Sequence, residues 1–236
     1  MKPILVIQHH AGDGPAYLGH YLDHAALSWQ LLRVDQGEAV PGSIAGYAGL
    51  ALLGGPMSVN DALPWRGPEL SLIREAVSRR VPVIGHCLGG QLLSKALGGT
   101  VSAAAHPEIG WSDVVPVDQA GAQRWFGGAE LARLFQWHGE TFSIPAGATL
   151  IATGRYCAHQ AYVADGIHLG MQFHCEVDRA KIEAWLAAGG DDIEAGRRSP
   201  GVQPADAIRT SLDASLPVSH RLADNLYSAW LANLAR

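Results

Sequence analysis

Apolar residues follow two rhythms along the chain. In the first half, short apolar runs recur at residues 4–7, 31–34, 50–53 and 81–84, and each predicts a strand buried on both faces. Between them the spacing is helical: Leu18, Leu22 and Ala25 share one face, and Leu70, Ile73 and Val77 share another. The second of these segments opens on Pro68-Glu69 and closes on Arg79-Arg80, acid first and base last, as the helix dipole favours. Strands alternating with helices predict an α/β fold whose mostly parallel central sheet is covered on both faces.

In the second half the rhythm changes. Short strands at 114–117, 149–152, 161–163 and 167–173 are separated by tight turns, and Asp165-Gly166 is a hairpin signal. An antiparallel strand region is therefore expected beside the parallel sheet. Ile182, Trp185 and Leu186 mark a further helix, and Leu222, Leu226, Trp230 and Leu234 a C-terminal one. Residues 189–217 mix Gly, Pro, Asp and Arg and read as a linker or a surface excursion, with no new domain after it.

Composition narrows the class. The 236 residues fit one domain over 1–236, with 190–236 expected as a surface segment and helix. With 48% hydrophobic and 17% charged residues, a sizeable core is available. A net charge of −5 argues against a nucleic-acid partner, which needs a basic face. Three cysteines do not make a disulfide scaffold and suit a reducing, cytoplasmic setting. No apolar run reaches membrane length without Gly or charge, so no membrane partner is expected.

The chemistry concentrates after the fourth strand. Gly85-His86-Cys87-Leu88-Gly89 stands between that strand and a helix-forming run, the nucleophile-elbow pattern with Cys in place of Ser. A sharp strand-to-helix turn exposes the thiol at a helix N-terminus, where the dipole favours negative charge. The glycines two residues either side leave room for the turn. A Gly-rich turn around a buried Cys is the plainer alternative.

A base and its orienter stand later, at the end of an apolar strand. His174 and Glu176 lie two apart, so both project from one face while Cys175 points away. A surface ion pair is the alternative for them. His106-Pro107-Glu108 repeats the His-x-Glu spacing but reads as a polar loop and hence a decoy. Gly54-Gly55-Pro56 follows the third strand, so its N–H groups lie where open α/β sheets bind ligands. The N–H groups of Gly55 and Leu88 are candidates for an oxyanion site.

Taken in order, Gly54-Gly55-Pro56, Gly85-x-Cys87-Leu88-Gly89-x-Gln91 and Phe173-His174-x-Glu176 resemble the triad-type class I glutamine amidotransferases. Glu108-Ile109-Gly110-Trp111 and Gln136-Trp137-His138-Gly139-Glu140 resemble further segments, especially of stand-alone members related to the amidotransferase domain of GMP synthetase. The resemblance covers roughly residues 1–190. It implies a flavodoxin-like three-layer fold and a triad of Cys87 as nucleophile, His174 as base and acid, and Glu176 as orienter. It also implies Gln91, Trp137, Gly139 and Glu140 as substrate-binding residues, glutamine or a γ-glutamyl compound as substrate, and no metal or organic cofactor. The length leaves no room for a synthetase domain, so a separate synthetase subunit is an expected partner.

The chain departs from the family in places. Relatives carry Pro between the triad His and Glu where this sequence has Cys175, read as an inert packed thiol. His86 precedes the nucleophile and either faces the thiol or points elsewhere. Cys157 reads as a core or loop thiol, His9-His10 as a solvated loop, and His20 with His24 as a helix surface. Three functions fit: a glutaminase feeding a synthetase, a γ-glutamyl peptidase, and a regulatory protein without turnover.

Overall fold

The computed structural model describes residues 2–234. Its first half follows the predicted alternation. Strand β1 (Ile4–Gln8) leads to α1 (Ala16–His24), β2 (Trp29–Arg33), β3 (Gly49–Leu52), α2 (Arg66–Ser78), β4 (Val83–His86) and α3 (Leu88–Ala96). These four strands run parallel, with β1 between β2 and β3, and β3 beside β4.

The alternation of side chains along β1 explains the three layers. Ile4 and Val6 pack with Leu18 and Leu22 of α1, whereas Leu5 and Ile7 pack with Leu72 and Ile73 of α2 and with Leu92 and Leu93 of α3. A strand apolar on both sides needs a helix layer on each, because neither face can be left to water.

The second half holds two long strands that the sequence reading underestimated. Strand β5 (Val101–Pro116) and β6 (Ala132–Phe142) form an antiparallel ribbon with a bulge between Ala103 and Glu108, and α4 (Gln119–Trp125) lies between them in sequence. His106 to Glu108 therefore belong to a strand, not to a polar loop. The Gly and the scattered polar residues of β5 concealed it. Strands β7 (Thr149–Gly154), β8 (Ala161–Ala164) and β9 (His168–Met171) complete the antiparallel region, and β9 returns to lie parallel to β4. Asp165 and Gly166 are the central residues of the turn Ala164–Ile167 in the three-residue β8–β9 connection, at φ 50° and 73°, the positive values that a turn of this hand requires.

Residues 189–217 lie mostly at the surface, as expected, but they form regular elements and not a linker. After α5 (Arg179–Ala188), the chain forms the short helix α6 (Gly190–Gly196) and a strand β10 (Gly201–Val202) that extends the sheet beside β5. Helix α7 (Ala205–Leu231) then runs through Pro217 without breaking. It buries Leu222, Leu226, Tyr227 and Trp230 in the same layer as α1, and Ile208 and Leu212 against Val177 and Ile182. Among the described residues no helix is long and apolar enough to cross a membrane.

Candidate active site

β4 ends at His86, and the chain turns at once into α3. Cys87 occupies the turn at φ 49° and ψ −107°, a conformation that L-residues adopt only where surroundings enforce it. The enforcement comes from packing: a Cβ on Gly85 would overlap the backbone of Gly89, and one on Gly89 would overlap the Leu52 carbonyl of the neighbouring strand. Strand and helix thus approach closely on either side of the thiol. The Cys87 N–H donates to the Met171 carbonyl at 2.9 Å, tying the turn to the end of β9.

His174 and Glu176 follow β9, the strand next to β4. The His174 N–H donates to the Phe135 carbonyl at 2.8 Å and forms an isolated bridge with β6. Its Nδ1 lies 2.8 Å from Glu176 Oε1, with both side chains buried. Lys181, one turn into α5, places Nζ 3.1 Å from the same oxygen and donates to the Gly14 carbonyl at 2.9 Å. Burial opposes charge on Glu176, but Lys181 and His174 outweigh it and hold the carboxyl well below its ordinary range. Burial likewise opposes charge on His174, while Glu176 and the Cys87 sulfur raise it to about 10. The group is therefore positively charged at neutral pH.

The remaining candidates stand around this centre. Cys87 Sγ lies 3.8 Å from the Trp137 carbonyl and 3.6 Å from Gln172 Nε2. Gln91 Nε2 reaches the Glu140 carbonyl and Gln172 Oε1, each at 3.4 Å. Gly55, Cys87, Gln91, Trp137, Gly139, Glu140 and His174 all line one cleft of about 660 Å³. Leu88 is buried as the first residue of α3, whose leading N–H groups have no partner within the helix.

One wall of the cleft comes from Ala188, Gly189, Asp192, Ala195 and Gly196, at the α5–α6 junction and along α6. Asp192 Oδ2 accepts from Trp137 Nε1 at 3.1 Å and fastens that wall to β6. The sequence reading missed this wall, together with Lys181 and Gln172. The spacing Asp178-x-x-Lys181-x-x-x-Trp185 was the available signal: Asp178 caps α5 by accepting from the Lys181 N–H at 2.8 Å, and Lys181 and Trp185 share the helix face toward Glu176 and His174.

The other singled-out residues fall elsewhere. His106 is exposed, and Glu108 pairs with His138. Glu108, His138 and Cys157 have their ligand-type atoms within 4.8 Å of one another, yet Glu108 Oε2 already accepts from Gln160 Nε2 at 2.8 Å. His138 Nε2 lies 3.1 Å from that oxygen, and the Cys157 thiol donates to the His159 carbonyl at 3.5 Å. His9 is not solvated: it is buried against Glu69 at 2.9 Å beneath Gly54 and Gly55, a pairing with a carboxylate from α2 that no local pattern announces. His10 is exposed and bonded to Asp13 at the cleft, and His20 and His24 sit on the outside of α1.

His86 points away from the thiol. Its Nε2 lies 3.2 Å from the Tyr227 hydroxyl, and burial lowers its pKa to about 4. Cys175 is fully buried and donates to the same hydroxyl at 3.6 Å; burial and the nearby Glu176 push its thiol far up.

The class-I glutamine amidotransferase profile matches residues 16–186, and the chain belongs to that family. The glutamine amidotransferase-like protein YfeJ of Salmonella typhimurium is 30% identical over 196 residues, covering 79% of this chain and 80% of YfeJ. The glutamine-hydrolysing GMP synthase of Aeromonas salmonicida is 33% identical over 143 residues, which are 57% of this chain but only 26% of that enzyme. The chain thus spans about a quarter of the length of such synthases. Among solved structures, a glutamine amidotransferase from Methylobacillus flagellatus superposes with a TM-score of 0.97 at 42% identity, covering 100% of this chain and 96% of its own. One from Thermotoga maritima superposes at 0.86 with 27% identity and 98% coverage of each chain.

Proposed function

We propose that the chain hydrolyses the side-chain amide of glutamine through a γ-glutamyl thioester and releases ammonia. The observation that carries this reading is the meeting of Cys87, in its strained turn, with the His174–Glu176 pair at the C-terminal ends of two adjacent parallel strands.

In this reading the Cys87 sulfur attacks the γ-carbonyl carbon as a thiolate, forming the C–S bond. The oxyanion that results is held by the N–H groups of Gly55 and Leu88. His174 gives its Nε2 proton to the departing nitrogen, the C–N bond breaks, and ammonia leaves. Water then attacks the thioester while His174 takes its proton; the C–S bond breaks and glutamate is released with the thiolate restored. Glu176 keeps Nδ1 protonated throughout, so that Nε2 faces the reacting atoms. Gln91, Trp137, Gly139 and Glu140 hold the amino-acid end of the substrate. The ammonia passes to a separate synthetase subunit, in keeping with relatives whose single chain carries both activities.

A second reading, hydrolysis of larger γ-glutamyl compounds, is favoured by the cleft. Its volume of about 660 Å³ falls in the range of about 300–1,000 Å³ that takes drug-sized ligands, more than one glutamine fills. A turnover screen of glutamine against γ-glutamyl peptides and amides, with Cys87→Ala as control, separates the two. Ammonia release from glutamine supports the first reading. Glutamate release from the larger compounds alone supports the second, and activity that survives in Cys87→Ala removes both.

A further inference from the structure

We propose that Lys181 is a positioning residue of the His174–Glu176 pair, holding Glu176 in place and setting how tightly His174 keeps its proton. The inference rests on the assignment of Cys87, His174 and Glu176 as the reacting centre. It starts from a sharing of one atom: Glu176 Oε1 meets His174 Nδ1 at 2.8 Å and Lys181 Nζ at 3.1 Å, while Glu176 Oε2 has no hydrogen-bond partner among the described residues. Two cations therefore compete for one carboxylate oxygen in a buried setting, where their charges are poorly screened.

The competition is fixed from several sides. Lys181 is itself buried, and its second acceptor is the Gly14 carbonyl at 2.9 Å on the loop before α1. Nζ also stands 5.0 Å from the Trp185 ring, which meets the His174 ring edge-on at 4.8 Å. The backbone N–H of Tyr17 donates to the Glu176 carbonyl at 2.8 Å. The other titratable groups facing the pair are Cys87 at the elbow, Asp13 with its partner His10 across Gly54, and His86, Cys175 and Tyr227 behind it. Of these His86 is uncharged at neutral pH, because burial lowers it to about 4, and burial pushes Cys175 and Tyr227 up, so that both stay neutral as well. Lys181 is thus the cation that offsets Glu176 beside His174.

Two consequences follow for the reaction. A Glu176 anchored only by His174 would be free to turn its unpartnered oxygen toward the ring; with Lys181 bonded, the carboxylate plane is set. The positive charge of Lys181 also weakens the hold of Glu176 on the His174 proton, which must leave when ammonia departs.

The test is an NMR titration of the His174 ring, followed through its Cε1–H, which needs no substrate. In the Cys87→Ala protein His174 is expected to titrate lower than in the wild type, because the sulfur that raises it is gone. Adding Lys181→Met is expected to raise that midpoint again by about two pH units, as loss of a charge within roughly 6 Å implies. Lys181→Arg, which keeps the charge, should hold it in place. Lys181→Gln, uncharged but still a donor, should shift it as Met does and stands in if the Met protein does not fold. An unchanged midpoint in the folded uncharged variants overturns the role given to Lys181. An unchanged midpoint on removing Cys87 overturns the thiol–imidazole assignment on which it rests.

Discussion

His138 Nε2 lies 3.1 Å from Glu108 Oε2, with both side chains buried, so the fold holds a further His–Glu pair beside His174–Glu176 and His9–Glu69. Nδ1 of the same ring faces the Glu140 carbonyl at 3.0 Å and must donate to it. This pair braces β5 against β6, and His106, its apparent partner in sequence, takes no part. His106→Ala should leave turnover intact and unfolding within about 0.5 kcal/mol of wild type, as for an exposed substitution. His138→Ala should cost about 1–3 kcal/mol by removing one of the two partners of the buried Glu108 side chain. Urea unfolding and ammonia release together check both, and loss of activity in His106→Ala would restore the decoy.

Gly54 stands against the His174 ring. A Cβ there would lie 2.9 Å from His174 Cε1, closer than side chains pack, so the imidazole must yield. Gly54→Ala should lower kcat by about 100-fold, the scale of a displacement of about 1 Å at a reacting group. Its urea midpoint should change little. A variant with full kcat would show that the ring position is not critical.

The Trp137–Asp192 hydrogen bond holds one wall of the cleft. In Asp192→Ala, α6 is released, and the ratio of activity on bulky to small γ-glutamyl amides should rise about fivefold, the worth of one such bond. Steady-state kinetics on a size series measures it, and an unchanged ratio would free α6 from any part in selection.

Stability should fall in acid in a defined window. Burial lowers both His86 and His168 to about 4, below the ordinary 6.5 of an unfolded chain. The unfolded state therefore binds more protons as pH drops from 6.5 toward 4, and stability present above that window is lost within it. His174, raised to about 10, works in the opposite sense: its contribution is complete below 6.5 and disappears as pH rises through 10. Urea midpoints at a series of pH values should trace this dome, with an acid loss of at most about 3 kcal/mol per buried histidine. His86→Gln should flatten the acid side, and an equal slope in that variant would remove His86 as a cause.

The strained turn at Cys87 and the pairing of His174 with Glu176 were readable in the sequence because local rules place them: an elbow needs its glycines, and two residues on a strand end share a face. The parallel half of the sheet was readable for the same reason, since runs such as residues 4–7 carry their own pattern. What escaped depends on distant partners. His9 looks like a loop residue until Glu69 arrives from α2 to meet it. Strand β5 lacks a clean alternation because its exposed and buried stretches face different neighbours, and its pairing with β6 defines it. Helix α7 was read from its last turns alone, because Pro217 interrupts the apolar spacing while the surrounding core keeps the helix whole.

The sheet order β8–β9–β4 has a consequence for synthesis. Strand β4 is made early, but its neighbour on one side, β9, emerges only after the whole antiparallel region, pairing Ile84 with Leu169 and His86 with Met171. Until then the apolar edge of β4 is open on the ribosome, a template for pairing with another nascent chain. The cleft around Cys87 and His174 is assembled in the same late step, so a chain interrupted before β9 would carry Cys87 but neither His174, which follows β9, nor a closed sheet.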